Sequence, residues 1–292
     1  MSEQHTLDGV NRIEYRPGLV GRFARILIPF LQRTLPSGLY RVTYDALYNG
    51  YKWTLRQSYL LRYAAAHVVG SREDKLRTSL TRKLLPYSMG GKKALENAFE
   101  LTAKAERNNI PGSLVECGVA EGGTAAMIAL TSRELGKTVR PKWFFDSYEG
   151  LPEPTAEDYE GGKVGNFIRP LPKGACLGTI EQVGELMFDT LKFPKDEVTL
   201  VKGWFQDTVP VKRDVVGQIA VLRLDGDWYE STKVPLENFY DNVSPGGYVI
   251  IDDYATCFGS RKAVDEFFAE RNIKAPLFED GRGGVWFEKP SL

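Results

Sequence analysis

The chain has 292 residues, 38 Lys and Arg against 38 Asp and Glu, and 42% hydrophobic residues, the make-up of a soluble globular protein long enough to bury a sizeable core. No apolar stretch nears the roughly 20 residues needed to span a bilayer, and the N-terminal MSEQHTLDG lacks the apolar segment of a secretory signal. Cys117, Cys176 and Cys257 are scattered without a CxxC spacing, so neither a disulfide framework nor a zinc site is indicated, and a reducing, cytoplasmic setting is expected.

The balanced charge is unevenly spread. Residues 1–93 hold 16 Lys and Arg against 6 Asp and Glu, and the remainder holds 22 against 32. Such a basic arm can contact an anionic partner, with packing on the acidic body of its own or another subunit the favoured expectation. Nucleic acid is not an expected partner, since no recognised binding motif accompanies the basic segment.

Residues 1–85 are irregular in pattern. LVGRFARILIPFLQRTLP is amphipathic and basic but interrupted by Pro29; it can lie on a membrane surface, with core or interface packing the favoured role. YKWTLRQSYLLRYAAAHVV has helical spacing, and residues 74–85 read as a short helix or a link. KKALENAFELTAKAER then predicts a helix with Leu95, Ala98, Phe99 and Thr102 on one face, stopped by NNIPG. There follow a strand SLVECG, a helix GGTAAMIALTSREL closed by Gly136, a strand KWFFD, a polar loop from Ser147 to about Gly178, and a helix TIEQVGELMFDTL. EVTLVKG and QIAVLRLD read as strands, STKVPLENFYDNV as a helix, GGYVIIDD as a strand, and SRKAVDEFFAERN as a helix capped by Ser260. LFED and GVWFEK close the chain as a β-hairpin. The alternation predicts an α/β fold with a doubly wound, mostly parallel sheet.

Ligands of such sheets bind outside the carboxyl ends of the strands. The loop after the first core strand reads LVECGVAEGGTAAM. Gly118 permits a tight turn, and Gly122 and Gly123 let a ligand approach the backbone. Glu116 sits before the turn, and Asp146, ending the next strand, is placed to accept from two ribose hydroxyls. This is not GxGxxG. An acidic residue ahead of the first glycine disfavours a phosphate and suits the amino group of S-adenosylmethionine, so the pattern favours that cofactor over NAD; a mere tight connection is the bland alternative.

Asp225 and Asp227 end one later strand, in RLDGDWYEST, and Asp252 and Asp253 end another, in YVIIDDY. Any one of them alone could cap the following helix. If the strands are neighbours, four carboxylates crowd one rim and raise one another's pKa values. A divalent cation relieves this, and oxygen ligands without His or Cys favour Mg2+, Mn2+ or Ca2+ over zinc. The chain's histidines, His5 and His67, lie outside this region, which favours a metal-plus-carboxylate mechanism over a His base.

LVECGVAEGG, FFDSYEGLPEP, VKGWFQDTVP, RLDGDWYEST and SPGGYVIIDDY occur in an order and at separations that resemble the macrocin O-methyltransferase family, over about residues 87–288. The resemblance implies a seven-stranded class I methyltransferase (Rossmann-like) sheet, S-adenosylmethionine and Mg2+ as cofactors, a sugar hydroxyl as acceptor, and a homo-oligomer. By position it implies Asp225, Asp252 and Asp253 as metal ligands and Asp227 as general base. It puts Glu116, Gly118, Thr124, Asp146, Ser147 and Trp204 at the cofactor, with Ser88 and Met89 in the covering segment YSMGG. The glycine loop lacks the aromatic and arginine that the family carries there. The expected division is an N-terminal helical extension or lid and oligomer interface, 1–86, and a methyltransferase domain, 87–292. Rival expectations are a catechol-like phenol as acceptor, or a non-catalytic nucleotide-binding protein.

Overall fold

The structure is a computed structural model and describes residues 13, 17, 19–167 and 171–290; MSEQHTLDG, with His5, lies outside them. Three helices precede the sheet, α1 (Leu19–Thr34), α2 (Ser37–Val69) and α3 (Arg72–Leu84). The expected mainly helical N-terminal extension is present although its sequence pattern is irregular, and Pro29 lies inside α1 without ending it. Large apolar side chains such as Phe23 and Ile26 of α1 and Trp53 and Leu61 of α2 are exposed, so these helices lack the core-facing stripe of the helices that cover the sheet. The start of α3 is set by a capping box: Ser71 Oγ accepts from Asp74 N at 3.1 Å, and Asp74 Oδ2 accepts from Ser71 N at 3.2 Å.

A 3-10 turn, Leu85–Tyr87, leads into α4 (Gly91–Arg107). The alternating part runs β1 (Ser113–Cys117), α5 (Gly123–Leu135), β2 (Lys142–Asp146), α6 (Ile180–Gly184), β3 (Val198–Lys202) and α7 (Phe205–Val216). It continues with β4 (Ile219–Leu224), α8 (Tyr229–Phe239), β5 (Val243–Ile251), α9 (Phe258–Glu270), β6 (Phe278–Glu279) and β7 (Val285–Glu288). The expected single helix after Thr179 is split, with α6 passing into a π-helical turn, Glu185–Thr190. α9 begins earlier than Ser260: Arg261 N closes on Cys257 O at 3.1 Å, so Cys257 is the cap and Ser260 is buried within the helix.

The seven strands form one sheet in the order β3-β2-β1-β4-β5-β7-β6. The first five are parallel, and β7 and β6 close the edge as the predicted antiparallel hairpin. Side chains alternate between its two faces. Leu114 and Phe144 join the layer under α3, α4 and α5, while Val115, Cys117 and Phe145 join the layer under α7, α8 and α9. The central strands β1 and β4 are buried along their whole length, which accounts for their continuous apolar runs. α2 is anchored to the body where Tyr59 Oη donates to Glu96 Oε1 at 2.8 Å and Arg62 pairs with Glu96 Oε2 at 3.0 Å. Register aligns the C-terminal ends of the central strands: Cys117 lies opposite Phe145 and Leu224, and Leu224 lies opposite Ile251. The order in which strands are added reverses between β1 and β4, so a crevice opens at that rim.

Candidate active site

The crevice holds a cavity of about 590 Å3, lined by residues that follow β1, β2, β4 and β5, by the 147–176 loop and by the N-terminus of α7. Its floor depends on Gly118. This residue has φ +95°, and a Cβ there would stand 1.7 Å from the Asp225 carbonyl oxygen. The close approach keeps β1 and β4 joined past their ends, with Asp225 N donating to Cys117 O at 2.8 Å. Gly123 serves the covering segment: a Cβ there would lie 2.4 Å from Tyr87 O, so the LPYSMGG turn rests on the start of α5.

Asp146 organises the turn after β1. Its Oδ2 accepts from Val119 N at 2.7 Å and Ala120 N at 3.0 Å, and its Oδ1 from Tyr148 N at 2.7 Å. Burial raises its pKa against these three donors. Each carboxylate oxygen offers about two lone pairs, so one site at least remains for a ligand hydroxyl. Ser147, Met89 and Trp204, which precedes α7, also line the cavity. Ser88, Glu116 and Thr124 do not line it among the described residues. Ser88 Oγ accepts from Gly91 N at 3.1 Å at the start of α4, Thr124 is buried in the first turn of α5, and Glu116 lies beneath the floor with no exposed surface.

Asp225, Asp227, Asp252 and Asp253 come together on the floor, since β4 and β5 are parallel neighbours. Part of the crowding is relieved by the protein itself, which the sequence expectation of a cation alone did not include. Arg223, whose side chain is 1% exposed, pairs with Glu116 at 2.6 Å, Asp225 at 2.8 Å and Asp252 at 2.6 Å. Arg282, from the β6–β7 turn, adds a second ion pair to Asp252. A signal for Arg223 was present: a lone arginine in the apolar strand IAVLRL requires buried acidic partners. Arg282 had none, because a hairpin turn with DGRGG reads as solvent-facing.

The carboxylates therefore fall into two groups. Burial would raise Asp225, but Arg223 and Arg282 outweigh it and hold its pKa low. Asp227 is pushed up to about 7 by burial and then by the charge of Asp225, and Asp253 is raised by burial, Asp227 and Asp225. Glu116 is also pushed up to about 7 by burial, against the pull of Arg223 and a hydrogen bond from Thr124. Asp227 has φ +59°, in the left-handed region that few non-glycine residues adopt. Ala120 and Cys176, with φ +46° and +59°, share that region and line the same cavity, a concentration of strained backbone of the kind found at functional sites. Asp227 N donates to Asp253 Oδ2 at 3.3 Å, and the Cys257 thiol lies 3.5 Å from Asp227 Oδ1.

Oxygens of Asp225, Asp252 and Asp253 all lie within 4.8 Å of one another, and Asp227, Asp253 and Cys257 form a second such group. Five carboxyl groups at this rim, Asp146, Asp225, Asp227, Asp252 and Asp253, with Glu116 beneath the floor, accompany two guanidinium groups, those of Arg223 and Arg282. The residual negative charge and the all-oxygen donor set of the first group fit a hard divalent cation. The cavity also has an aromatic part: Trp228 is buried, donates from Nε1 to Pro152 O at 3.0 Å, and meets Phe167 edge-on at 6.3 Å.

A parallel sheet of this strand order, with an acidic crevice at the end of its first strand, defines a class I, Rossmann-like methyltransferase. Within that class the chain belongs to the macrocin O-methyltransferase family, whose profile, described as "Macrocin-O-methyltransferase (TylF)", matches residues 30–289. The match reaches back into α1, farther than the motifs from residue 87 onward indicated. The chain is 38% identical over 202 residues to the 8-demethyl-8-(2,3-dimethoxy-alpha-L-rhamnosyl)-tetracenomycin-C 4'-O-methyltransferase of Streptomyces olivaceus, covering 68% of this chain and 75% of that one. It is 36% identical over 203 residues to the demethyldecarbamoylnovobiocin O-methyltransferase of Streptomyces niveus, covering 70% and 76%. Among solved structures, the O-methyltransferase NovP superposes with a TM-score of 0.62 at 34% identity, covering 70% of this chain and 83% of that one. The protein is thus an O-methyltransferase, and its fold and family imply S-adenosylmethionine as the methyl donor.

Proposed function

We propose that this O-methyltransferase methylates a hydroxyl of a sugar carried on a glycosylated natural product or glycan precursor, with Asp227 as general base and Mg2+ held by Asp225, Asp252 and Asp253. The observation that carries this reading is the pairing of a carboxyl pushed up to about 7, Asp227, with a three-carboxylate group on one cavity floor. Similarity to the rhamnosyl 4'-O-methyltransferase of Streptomyces olivaceus supports the sugar acceptor.

Each residue has a distinct task. Asp146, with Ser147, accepts hydrogen bonds from the donor's ribose, while Met89 and Trp204 pack against the donor. Trp228 and Phe167 give the acceptor ring an apolar wall and keep water from the reacting oxygen. Asp227 takes the proton of the acceptor hydroxyl; a base with a pKa near the working pH does this with the best compromise of strength and ionisation. When bound, Mg2+ would make that hydroxyl more acidic and orient a neighbouring one. Holding the oxygen in line with the methyl group supplies a further share of the acceleration.

Asp227→Asn removes the base and keeps the shape. Transfer of labelled methyl from S-adenosylmethionine across a panel of glycosides should fall by about 100-fold or more, the usual share of general-base catalysis, with donor affinity retained. Undiminished turnover would refute the assignment of Asp227.

A further inference from the structure

The basic N-terminal arm does not bury its apolar side chains against its own acidic body. On α1, Leu19, Phe23, Ile26 and Phe30 are 81%, 65%, 74% and 61% exposed. At about 100° per residue these four fall within a stripe roughly 60° wide. Ile28, the buried residue of α1, lies on the opposite side of the helix, so the stripe faces away from the protein. Arg22 and Arg33 line one edge of it, and α1 has no acidic residue. On α2, Leu39, Val42, Trp53, Leu60, Leu61 and Val68 are exposed as well. Across residues 19–69 the chain carries 7 Lys and Arg and a single acidic residue, Asp45.

We infer that this arm docks on a membrane surface bearing anionic headgroups, with the α1 stripe entering the headgroup boundary. An exposed apolar stripe edged by arginines is the pattern of helices that lie in such an interface, where long basic side chains reach back to the headgroups. An anionic surface complements the arm's charge, pairing α1 with α1 would set one basic arm against another, and a second copy seated through its acidic body is the outcome that the test below separates. Among the described residues no helix is long and apolar enough to cross the membrane, so the contact is peripheral. The arm also reaches the active site: Arg25 Nη2 donates to Asn166 O at 2.6 Å, and Asn166 lines the cavity. Docking through α1 therefore holds the cavity wall near the lipid surface. The inference does not depend on the acceptor or on the role of Asp227.

Flotation of the full chain with vesicles tests it. With phosphatidylglycerol–phosphatidylcholine vesicles the protein should float, with pure phosphatidylcholine it should largely remain behind, and added salt should release it. Phe23→Glu with Ile26→Glu, on the outward stripe, should weaken binding by about tenfold or more while thermal unfolding stays unchanged. Failure to bind anionic vesicles would overturn the inference, as would equal binding by wild type and the double variant. It would also be overturned if wild type ran as an oligomer that the double variant dissociates without either form binding vesicles, since a second copy would then cover the stripe.

Discussion

Arg223 is the most informative residue to remove. It is almost fully buried and holds three carboxylates, Glu116, Asp225 and Asp252, at 2.6–2.8 Å. Arg223→Met keeps most of the volume and deletes the charge. Breaking a buried ion network by removing one partner costs about 3–5 kcal/mol, and three orphaned carboxylates place this case toward the upper end. At about 2–4 °C per kcal/mol for domains of this size, the melting temperature should fall by roughly 10–20 °C. The loss should depend on pH with a defined sign. Without Arg223, the pKa of Glu116, already pushed up to about 7, rises further above its unfolded value. A carboxyl raised by folding stabilises the native state below its unfolded pKa, and that contribution disappears as pH rises through the folded value. The deficit of the variant should therefore be smaller near about pH 5 and larger near about pH 8. Scanning calorimetry of the ligand-free pair across this range gives the comparison. A drop below about 2 °C, or a deficit independent of pH, would show that Arg223 acts through packing and not through charge.

The remaining predictions concern the same rim. Asp227 and Asp253 are raised by folding, so ligand-free stability should decline as pH rises through about 7; Mg2+, which binds the ionised forms, should raise the melting temperature more near about pH 8 than near about pH 6. Equal shifts at both pH values, or none, would count against the three-aspartate site, and so would methyl transfer indifferent to EDTA. Gly118→Ala puts a Cβ 1.7 Å from a backbone oxygen at a positive φ, so it should cost about 3 kcal/mol or more and disorder the junction of β1 and β4. A normal unfolding profile with intact donor binding would contradict that.

Much of the sheet was legible in the sequence, because its strands are buried on both faces and its helices on one. Runs such as IAVLRL and YVII admit no other placement, and the Gly-rich turn after β1 marks where a ligand can approach the backbone. The carboxylates were legible too, since parallel strands bring their ends to one rim. The helical spacing of YKWTLRQSYLLRYAAAHVV showed the second half of α2, while the extent of α1 was obscured by Pro29 within it and the first half of α2 carried no clear signal. Ser88, Glu116 and Thr124 could be placed near the crevice by position, yet whether they face the cavity or the protein depends on a few ångströms of packing.

The sequence by itself determined the class of fold and the acidic rim, because periodicity and strand-end chemistry are local properties. Only the tertiary structure decided how that acidity is shared. Arg223 sits on β4 two residues before Asp225 and reaches across to Glu116 on β1 and Asp252 after β5, Arg282 comes from a turn distant in sequence, and together they hold Asp225 and Asp252 while leaving Asp227 and Asp253 raised. A pKa is set by burial and by the charges within a few ångströms, and those are properties of the packed molecule alone.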